Sequence, residues 1–475
     1  MINIHSIKTL IGYLLAVFAS TLFLPLGVEF IYNDGSTTPY LLVIACTFIF
    51  SATLIFPKKE SSIALSLQES LLFIVISWLI MILIAAAPFK LMLHTSVVDA
   101  IFEAASGLTT TGAENLKDLE NLPHSILFYH QYLQFLGGMG VVVLATTILP
   151  ILNNKYTLIH DSPNQVASIK LVPKMINTAK ILWCLYLFFT LLCSFAYWFF
   201  GMSAFEAISQ AFTTISTGGF SIYSSSFAHY KSIGIYWTSI IFMLIGAISF
   251  NLHFQAIIQK NWKAYFQDSE CKLLFIIACI LAVIVLIILI INNRIDFNFY
   301  YISSTVFNCV SLVSTTGYTA ANFAYWPSFL PILLILTGVV GGCNGSTSGG
   351  IKINRAVAVY YHALFGLKSL AQPNVVFDTK HLNFNNPKHS FLALFIIAYI
   401  VFLLAFMSCG YDFATAFAAI TACLSNVGAA INSLANNYTE LSDIAKIILT
   451  IAMIAGRLEL MIFFVCFMPF FWRNS

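Results

Sequence analysis

Long apolar runs separated by short polar stretches dominate the pattern of this chain. An α-helix needs about 20 consecutive apolar residues to cross the hydrocarbon core of a bilayer. Ten runs approach or exceed that length, so the pattern predicts ten membrane-spanning helices. The runs lie at residues 10–31, 40–56, 70–89, 125–152, 180–200, 232–258, 272–292, 327–360, 390–409 and 444–471.

Shorter apolar segments lie between some of the long runs. They are too short to cross a bilayer, and broken helices are tolerated at membrane depth only where protein surrounds them. We therefore expect four re-entrant pore helices. The segments lie at residues 97–108, 203–214, 300–313 and 412–424.

A glycine-containing turn follows each short segment, and these turns define a repeat. Gly112, Gly218, Gly317 and Gly428 are 106, 99 and 111 residues apart. Self-similarity at a nearly constant period indicates repeated structural units. We expect two N-terminal helices, then four repeats of helix, half-helix, turn and helix. The predicted boundaries are 1–65 for the N-terminal helices and 66–165, 166–265, 266–370 and 371–475 for the repeats.

Composition agrees with a chain that lies mostly in a membrane. Of 475 residues, 59% are hydrophobic and only 9% are charged, whereas a soluble domain carries roughly a quarter of its residues as charged side chains. An all-α polytopic membrane protein is predicted. The net charge of +3 gives a nucleic-acid partner no electrostatic support. No Cys-x-x-Cys pair occurs among the ten cysteines, so they are expected to be free thiols rather than zinc or redox ligands.

Loop charges orient the predicted bundle. Sixteen basic residues fall in one set of loops and five in the other, so the positive-inside rule places both termini in the cytoplasm. The opposite face collects twelve acidic residues, which either concentrate cations at an entrance or are simply tolerated there. Four acidic residues beside the pore helices either steer ions or orient loops: Asp99, Glu103, Glu206 and Asp412.

The repeated turns have the composition of a carbonyl-lined pore. Glycine reaches left-handed backbone conformations at no steric cost, and serine or threonine before it adds hydroxyls without bulk or charge. Four such segments around an axis would present rings of carbonyl oxygens that can replace the hydration shell of a cation. A turn that merely ends a re-entrant helix explains one copy, but poorly explains four at nearly constant spacing.

These turns, two glycine-rich motifs and the two additional N-terminal helices resemble the TrkH family. That family belongs to a superfamily of bacterial K+ transporters built from four K+-channel-like helix–pore loop–helix repeats around a central pore. The resemblance covers the whole chain. The matching motifs occupy residues 107–113, 136–140, 216–221, 314–318, 341–352, 425–428 and 456–459.

The resemblance implies that K+ is the transported ion and that it binds mainly to backbone carbonyls at the turns, with no cofactor. Each turn has one glycine where a K+ channel has two, so a shorter filter is expected, which passes Rb+ and Na+ less well than K+ but discriminates weakly. The fourth turn departs from the serine and threonine pattern. The implied binding residues are Thr110, Thr111, Gly112, Ser216, Thr217, Gly218, Thr315, Thr316, Gly317, Asn426, Val427 and Gly428.

A glycine-rich run lies inside the apolar stretch 327–360, and glycines disfavour a continuous helix. Irregular backbone at membrane depth must line a cavity or be buried, so we expect a gate beneath the filter, as the resemblance also implies. A phosphate-binding loop is disfavoured because its G-x-x-x-x-G-K-[ST] pattern is absent. The glycines are Gly341, Gly342, Gly345, Gly349 and Gly350.

Two cations accompany the expected gate. Arg457 stands alone in the last apolar run, and an intramembrane arginine is costly and functional by default. It either faces the pore and repels cations or forms a salt bridge between helices, although Glu459 is too close along the helix to be an obvious partner. Lys352 follows the glycine run and either caps the same cavity or is an ordinary cytoplasmic charge.

The sequence thus predicts a K+ uptake protein of the bacterial inner membrane, with channel-like and ion-coupled mechanisms and a Na+-permeable alternative left open. A membrane enzyme is disfavoured because no nucleophile, base or metal cluster converges. An organic-solute transporter is also disfavoured, because it would show inverted repeats, whereas these four repeats run in the same orientation. The resemblance further implies a homodimer and a cytoplasmic TrkA-like nucleotide-binding partner, which would dock on the loops at 153–180, 260–272 and 361–389.

Overall fold

The computed structural model describes residues 3–35, 37–56, 65–147, 173–294, 298–327, 329–371, 387–430, 434 and 437–473. Every regular element within these ranges is helical, which confirms the predicted all-α class. The chain begins with two nearly continuous helices, Ile4–Thr21 and Phe23–Tyr32, followed by Thr37–Ile55. These helices pack against one another ahead of the repeated part of the chain.

The repeated part contains four pore helices, each between an outer and an inner helix. The outer helices are Leu67–Leu93, Pro173–Phe199, Ser269–Ile291 and Pro387–Met407. The pore helices are Val97–Leu108, Ala204–Ile215, Phe299–Val313 and Phe413–Leu424. The inner helices are His124–Thr147, Ile233–Ala247, Leu330–Val340 and Asp443–Arg457.

Further short elements connect or extend these repeats. Helices follow the inner helices of the last three repeats at Phe250–His253, Lys263–Gln267, Ile353–Ala371, Leu460–Val465 and Pro469–Arg473, with a π-helical turn at Phe254–Ile258. Single 3-10 turns lie at Leu119–Asn121, Ser226–His229 and Phe323–Tyr325.

Each pore helix starts at a polar residue whose side chain accepts a hydrogen bond from a first-turn backbone N–H. Such capping satisfies donors that have no partner within the helix. The observed bounds agree with the sequence prediction to within one residue at each end. The capping residues are Ser96, Ser203, Asn298 and Asp412.

Two inner helices break within apolar runs that the sequence predicted to be continuous spans. In the described ranges, six helices are long and apolar enough to cross a bilayer: the N-terminal pair of spans and the four outer helices. The expected span at 232–258 is instead two segments bent by 98°. The span at 327–360 is broken by the glycine run, as the sequence predicted, and the span at 444–471 stops at Arg457.

The physical reason lies in what the inner helices contact. An outer helix can present apolar side chains to lipid along its whole length. An inner helix packs instead on the pore helices and their turns, and it carries polar and small residues where it does so. Irregular or polar backbone is tolerated there because protein surrounds it.

Glycines let three inner helices touch the carboxyl ends of the pore helices directly. A Cβ on Gly137 would lie 1.9 Å from the carbonyl oxygen of Leu108, and a Cβ on Gly456 would lie 2.1 Å from that of Leu424. Gly246 approaches the Ile215 carbonyl in the same way, at 2.7 Å. No side chain fits in these gaps, so backbone-to-backbone contact sets where each turn sits.

We expect Gly456→Ala to destabilise the protein because its new methyl group would overlap the Leu424 carbonyl. Forcing extra volume into a packed site costs about 1–3 kcal/mol. Gly27→Ala is the control, since a Cβ there meets nothing within 4 Å. The measurement is the temperature at which detergent-solubilised protein loses its monodisperse elution peak. Equal transition temperatures for the two variants would contradict the packing argument.

Candidate functional site

Four turn segments follow the pore helices, and all four share one backbone conformation. In each, a residue with left-handed dihedral angles is followed two positions later by a glycine with positive φ. We call residues 109–113, 216–220, 314–318 and 425–429 the first to fourth filter segments. The left-handed residues are Thr110, Thr217, Thr315 and Asn426, with φ of 50°, 50°, 60° and 52°; the glycines are Gly112, Gly219, Gly317 and Gly428, with φ of 77°, 89°, 87° and 73°.

The second segment corrects the register expected from the sequence. Gly219, and not Gly218, has the positive φ that Gly112 and Gly317 have. The Gly218 N–H donates to the Thr213 carbonyl, as the N–H of Thr111 does to Ser106. Gly218 therefore occupies the position equivalent to Thr111. Ser216 and Thr217 occupy the positions equivalent to Thr109 and Thr110. Two consecutive glycines made the alignment ambiguous in the sequence.

The four segments form a closed ring in chain order. A Cβ on Gly112 would lie 2.2 Å from the carbonyl oxygen of Gly218, in the next segment. The same approach joins the second segment to the third, the third to the fourth and the fourth back to the first. The corresponding distances are 2.0 Å from Gly219 to Thr316 O, 2.0 Å from Gly317 to Val427 O and 2.2 Å from Gly428 to Thr111 O.

Side chains to which the sequence argument gave no role support this ring. The Tyr438 hydroxyl donates to the Gly428 carbonyl at 2.9 Å, and the Tyr318 hydroxyl is hydrogen-bonded to Thr213. Gln134, on the first inner helix, reaches the second segment. These residues are ordinary tyrosines and glutamines in apolar helices or loops. The available sequence signal was their polarity at positions that should be buried.

The unusual fourth segment is tied to its neighbours through Asn426. Its amide Nδ2 donates to the Thr111 hydroxyl at 2.9 Å and to the Met453 carbonyl at 3.0 Å. The amide therefore joins the fourth segment to the first segment and to the last inner helix. The expected break in chemical symmetry is present, and the amide forms contacts that a threonine is too short to make.

The glycine run forms an irregular loop between Leu330–Val340 and Ile353–Ala371, and we call residues 341–352 the glycine loop. Ser348 Oγ donates to the Ser314 carbonyl at 2.7 Å, and the Gly350 N–H donates to the Ser425 carbonyl at 2.8 Å. Thr347 Oγ1 lies 3.0 Å from the carbonyl oxygen of Ile215, just before the second segment, and accepts a hydrogen bond from the Thr217 hydroxyl at 3.2 Å. The loop is thus bonded beneath three of the four segments.

Of the two predicted cations, Arg457 contacts this loop from outside and Lys352 is its last residue. Arg457 Nη1 donates to the Thr347 carbonyl at 2.9 Å, while its Nε and Nη2 have no hydrogen-bond partner in the described part of the chain. Arg457 is 5% exposed. Lys352 Nζ donates to the Ser348 carbonyl within the loop, so it is a loop contact rather than an ordinary surface charge.

Glu459 pairs with a different arginine. Its carboxylate lies 2.7 Å from Arg355 Nη2, and the Arg355 guanidinium stacks 3.9 Å above the Phe391 ring. Among the described residues, no carboxylate forms an ion pair with Arg457. The described structure therefore does not contain the salt bridge that the sequence left open for Arg457.

A cavity of about 290 Å³ lies on the side of the ring opposite the glycine loop. All four positive-φ glycines line it, so the ring has an open approach from this side. Its wall also includes polar side chains from the loops that follow the filter segments. Among these lining residues are Glu114, Ser221, Ser224, Thr319, Asn322 and Tyr438.

The acidic residues beside the pore helices are engaged in hydrogen bonds that orient the loops. Asp99 lies 2.6 Å from Lys446 Nζ, and Glu206 closes a capping box with Ser203. Asp412 caps the fourth pore helix, and hydrogen bonds from Thr415 lower the pKa of its carboxyl group. These contacts favour the loop-orienting interpretation of the sequence pattern.

Comparison with known proteins places these features in context. The family model described as TrkH, a cation transport protein, matches residues 40–473. The chain is 35% identical over 482 aligned positions to the Trk system potassium uptake protein TrkH of Escherichia coli strain K12, covering 99% of this chain and all of the relative. The TrkG protein of the same strain is 29% identical, with 99% of each chain covered.

A solved structure has the same overall arrangement. The crystal structure of the potassium transporter TrkH from Vibrio parahaemolyticus aligns with a TM-score of 0.90 at 33% sequence identity. The alignment covers 99% of this chain and 100% of that one.

We expect Thr347→Val to loosen the glycine loop, because the substitution keeps the side-chain shape but removes the hydroxyl, which lies 3.0 Å from the Ile215 carbonyl oxygen and 2.9 Å from that of Gly246. Cys343, buried in the loop, reports this when it is the single cysteine of the protein. Loss of one buried hydrogen bond should speed maleimide labelling of Cys343 by about tenfold.

Thr337→Val is the matched control, since within the described residues that hydroxyl bonds only to Leu334, in its own helix. An equal labelling rate in both variants and in the parent protein would show that Thr347 does not hold the loop in place.

Proposed function

This chain belongs to the TrkH family of cation transport proteins, and we propose that it takes up potassium across a bacterial inner membrane through the ring of filter segments. It is a transport protein and not an enzyme. The observation that carries the proposal is the closed ring, in which the four glycines leave room for adjacent carbonyl groups. Named relatives are potassium uptake proteins, which supports potassium as the ion.

In this proposal the ion sheds water from the open cavity and is bound by backbone carbonyl oxygens of the filter segments. Carbonyl dipoles can replace the hydration shell of K+ without carrying a net charge that would trap it. The backbone conformation of the second segment supports a revised set of binding residues, in which Thr217, Gly218 and Gly219 replace Ser216, Thr217 and Gly218. The residues of the other three segments are unchanged. That set is Thr110, Thr111, Gly112, Thr217, Gly218, Gly219, Thr315, Thr316, Gly317, Asn426, Val427 and Gly428.

The glycine loop and Arg457 act as the gate beneath the filter. The loop blocks the way out because it is bonded under three segments, and conduction requires its displacement. The Arg457 charge opposes cations at the same level, since a buried positive charge raises the energy of a cation nearby. The contact between Arg457 Nη1 and the Thr347 carbonyl supports a joint role for the two.

Regulation is assigned to a cytoplasmic TrkA-like nucleotide-binding partner of a homodimer whose termini face the cytoplasm. This part of the proposal rests on the family resemblance and on the loop charges. Two of the proposed docking loops, 153–180 and 361–389, lie largely outside the described residues, which have gaps at 148–172 and 372–386.

We expect purified protein in liposomes to take up 86Rb+ in a saturable way, with K+ competing better than Na+. Gly317→Ser should collapse this preference, because its Cβ would lie 2.0 Å from the Val427 carbonyl at a strained φ. A loss of about tenfold or more in the K+/Na+ competition ratio is expected, since the displaced carbonyl belongs to the ring itself.

Gly410→Ser is the matched control: its φ is also positive, at 94°, but a Cβ there meets nothing within 4 Å. If the parent protein passes Na+ as readily as K+, and Gly317→Ser behaves like Gly410→Ser, the four glycines are only turns and the filter proposal is wrong.

We expect Arg457→Gln to raise the 86Rb+ uptake rate several-fold, because the charge is removed while a polar side chain remains. Arg294→Gln, an exposed arginine at a helix end, is the control and should leave uptake unchanged. The elution profile of each variant verifies that it is folded. Unchanged or slower uptake in a folded Arg457→Gln protein would argue against an electrostatic gate.

A further inference from the structure

A buried amide from the first inner helix holds the backbone of the second filter segment. Gln134 is fully buried. Its Nε2 donates to the Gly218 carbonyl at 2.7 Å, and its Oε1 accepts from the Phe220 N–H at 3.1 Å. One side chain thus bonds to the backbone on both sides of Gly219, the positive-φ glycine of this segment.

Gln134 fills a space that other segments fill with their own side chains. Thr111 and Thr316 occupy the position equivalent to Gly218, and each hydroxyl bonds at 2.7 Å to a hydroxyl two residues earlier, on Thr109 and Ser314. Gly218 has no side chain with which to make such a bond. A Cβ at Gly218 would lie 2.2 Å from Gln134 Oε1, so the amide takes the space of the missing group.

The second segment has particular need of external support. Two consecutive glycines give its backbone more conformational freedom than the single glycine of each other segment. The carbonyl of Gly218 is one of the four that meet a neighbouring glycine in the ring. Conformational freedom at Gly218 would therefore displace one of the four equivalent carbonyl oxygens of the ring.

The helix that carries Gln134 is itself fixed near this segment. One turn earlier, the His130 ring stacks on the Phe220 ring with centroids 3.5 Å apart. His130 Nε2 lies 2.5 Å from Glu103 Oε1, and the other carboxylate oxygen of Glu103 accepts from the Asn115 N–H at 2.9 Å. These contacts join the helix to the first pore helix and its loop, which makes Gln134 a rigid support.

We propose that Gln134 is a positioning residue for ion selectivity, which fixes the Gly218 carbonyl in the ring. A carbonyl oxygen has two lone pairs, so one bond to Gln134 leaves the other free for an ion. The amide acts through Gly218 and does not itself bind the ion. This inference rests on the proposed carbonyl filter.

The first test compares Gln134→Leu with the parent protein in the liposome assay. Leucine approximates the volume of glutamine but forms no hydrogen bond. We expect the K+/Na+ competition ratio to fall by about tenfold, with 86Rb+ uptake in the absence of Na+ within a few-fold of the parent. Gln131→Leu is the matched control, because Gln131 is equally buried on the same helix and its side chain has no partner in the described ranges.

A reciprocal pair separates positioning from general damage to the fold. Gly218→Thr alone should lose selectivity because its side chain would overlap Gln134, and Gln134→Ala alone should lose it because the bonds are gone. The double variant should recover most of the ratio. Its new threonine has the freed space and can bond to Ser216, as Thr316 bonds to Ser314.

These experiments distinguish a failure of the filter proposal from a failure of the role proposed for Gln134. If the parent protein does not prefer K+, the filter proposal fails, and with it this inference. If the parent is selective and Gln134→Leu equals it, only the role of Gln134 is overturned. If Gln134→Leu does not fold, the double variant decides: recovered selectivity supports the inference, and a folded but unselective double variant overturns it.

Discussion

The structure depends on one steric constraint: adjacent filter segments approach so closely that no Cβ fits between them. Four glycines with positive φ each face the carbonyl oxygen of the next segment at a distance that would place a Cβ at 2.0–2.2 Å. The pore helices must end at one level for this to occur, and glycines on three inner helices bring their backbones against those ends. The outer helices then close the bundle toward lipid. The close approach of the filter segments therefore constrains where the pore helices end and how closely the inner helices pack against them.

Within that common frame, each segment is supported by different chemistry. The first and third have paired hydroxyls, the second has the amide of Gln134, and the fourth has Asn426. The backbone of each segment is constrained by the adjacent segments of the ring. The side chains that support it need only fit the available space and form hydrogen bonds. The four backbones can therefore stay similar while the supporting side chains differ.

The repeats, pore helices and glycine loop could be predicted because each rests on a local pattern, either the length of apolar runs or the spacing of glycines. The errors arose where the outcome depends on distant partners. Gly218 and Gly219 are interchangeable along the chain, and only the ring distinguishes them. The breaks near Ile248 and Arg457 lie in apolar runs, and Gln134 bonds to a residue 84 positions away. A single sequence does not reveal which buried polar group meets which backbone atom.

The glycine loop has a consequence for the architecture as a whole. It occurs once, yet it is bonded beneath three of the four segments. Four copies around the same axis would compete for the same carbonyl groups, so four identical subunits could not each bond such a loop beneath three segments. Fusion of the repeats into one polypeptide removes that restriction, because one quarter can acquire an insertion that the other three never carry.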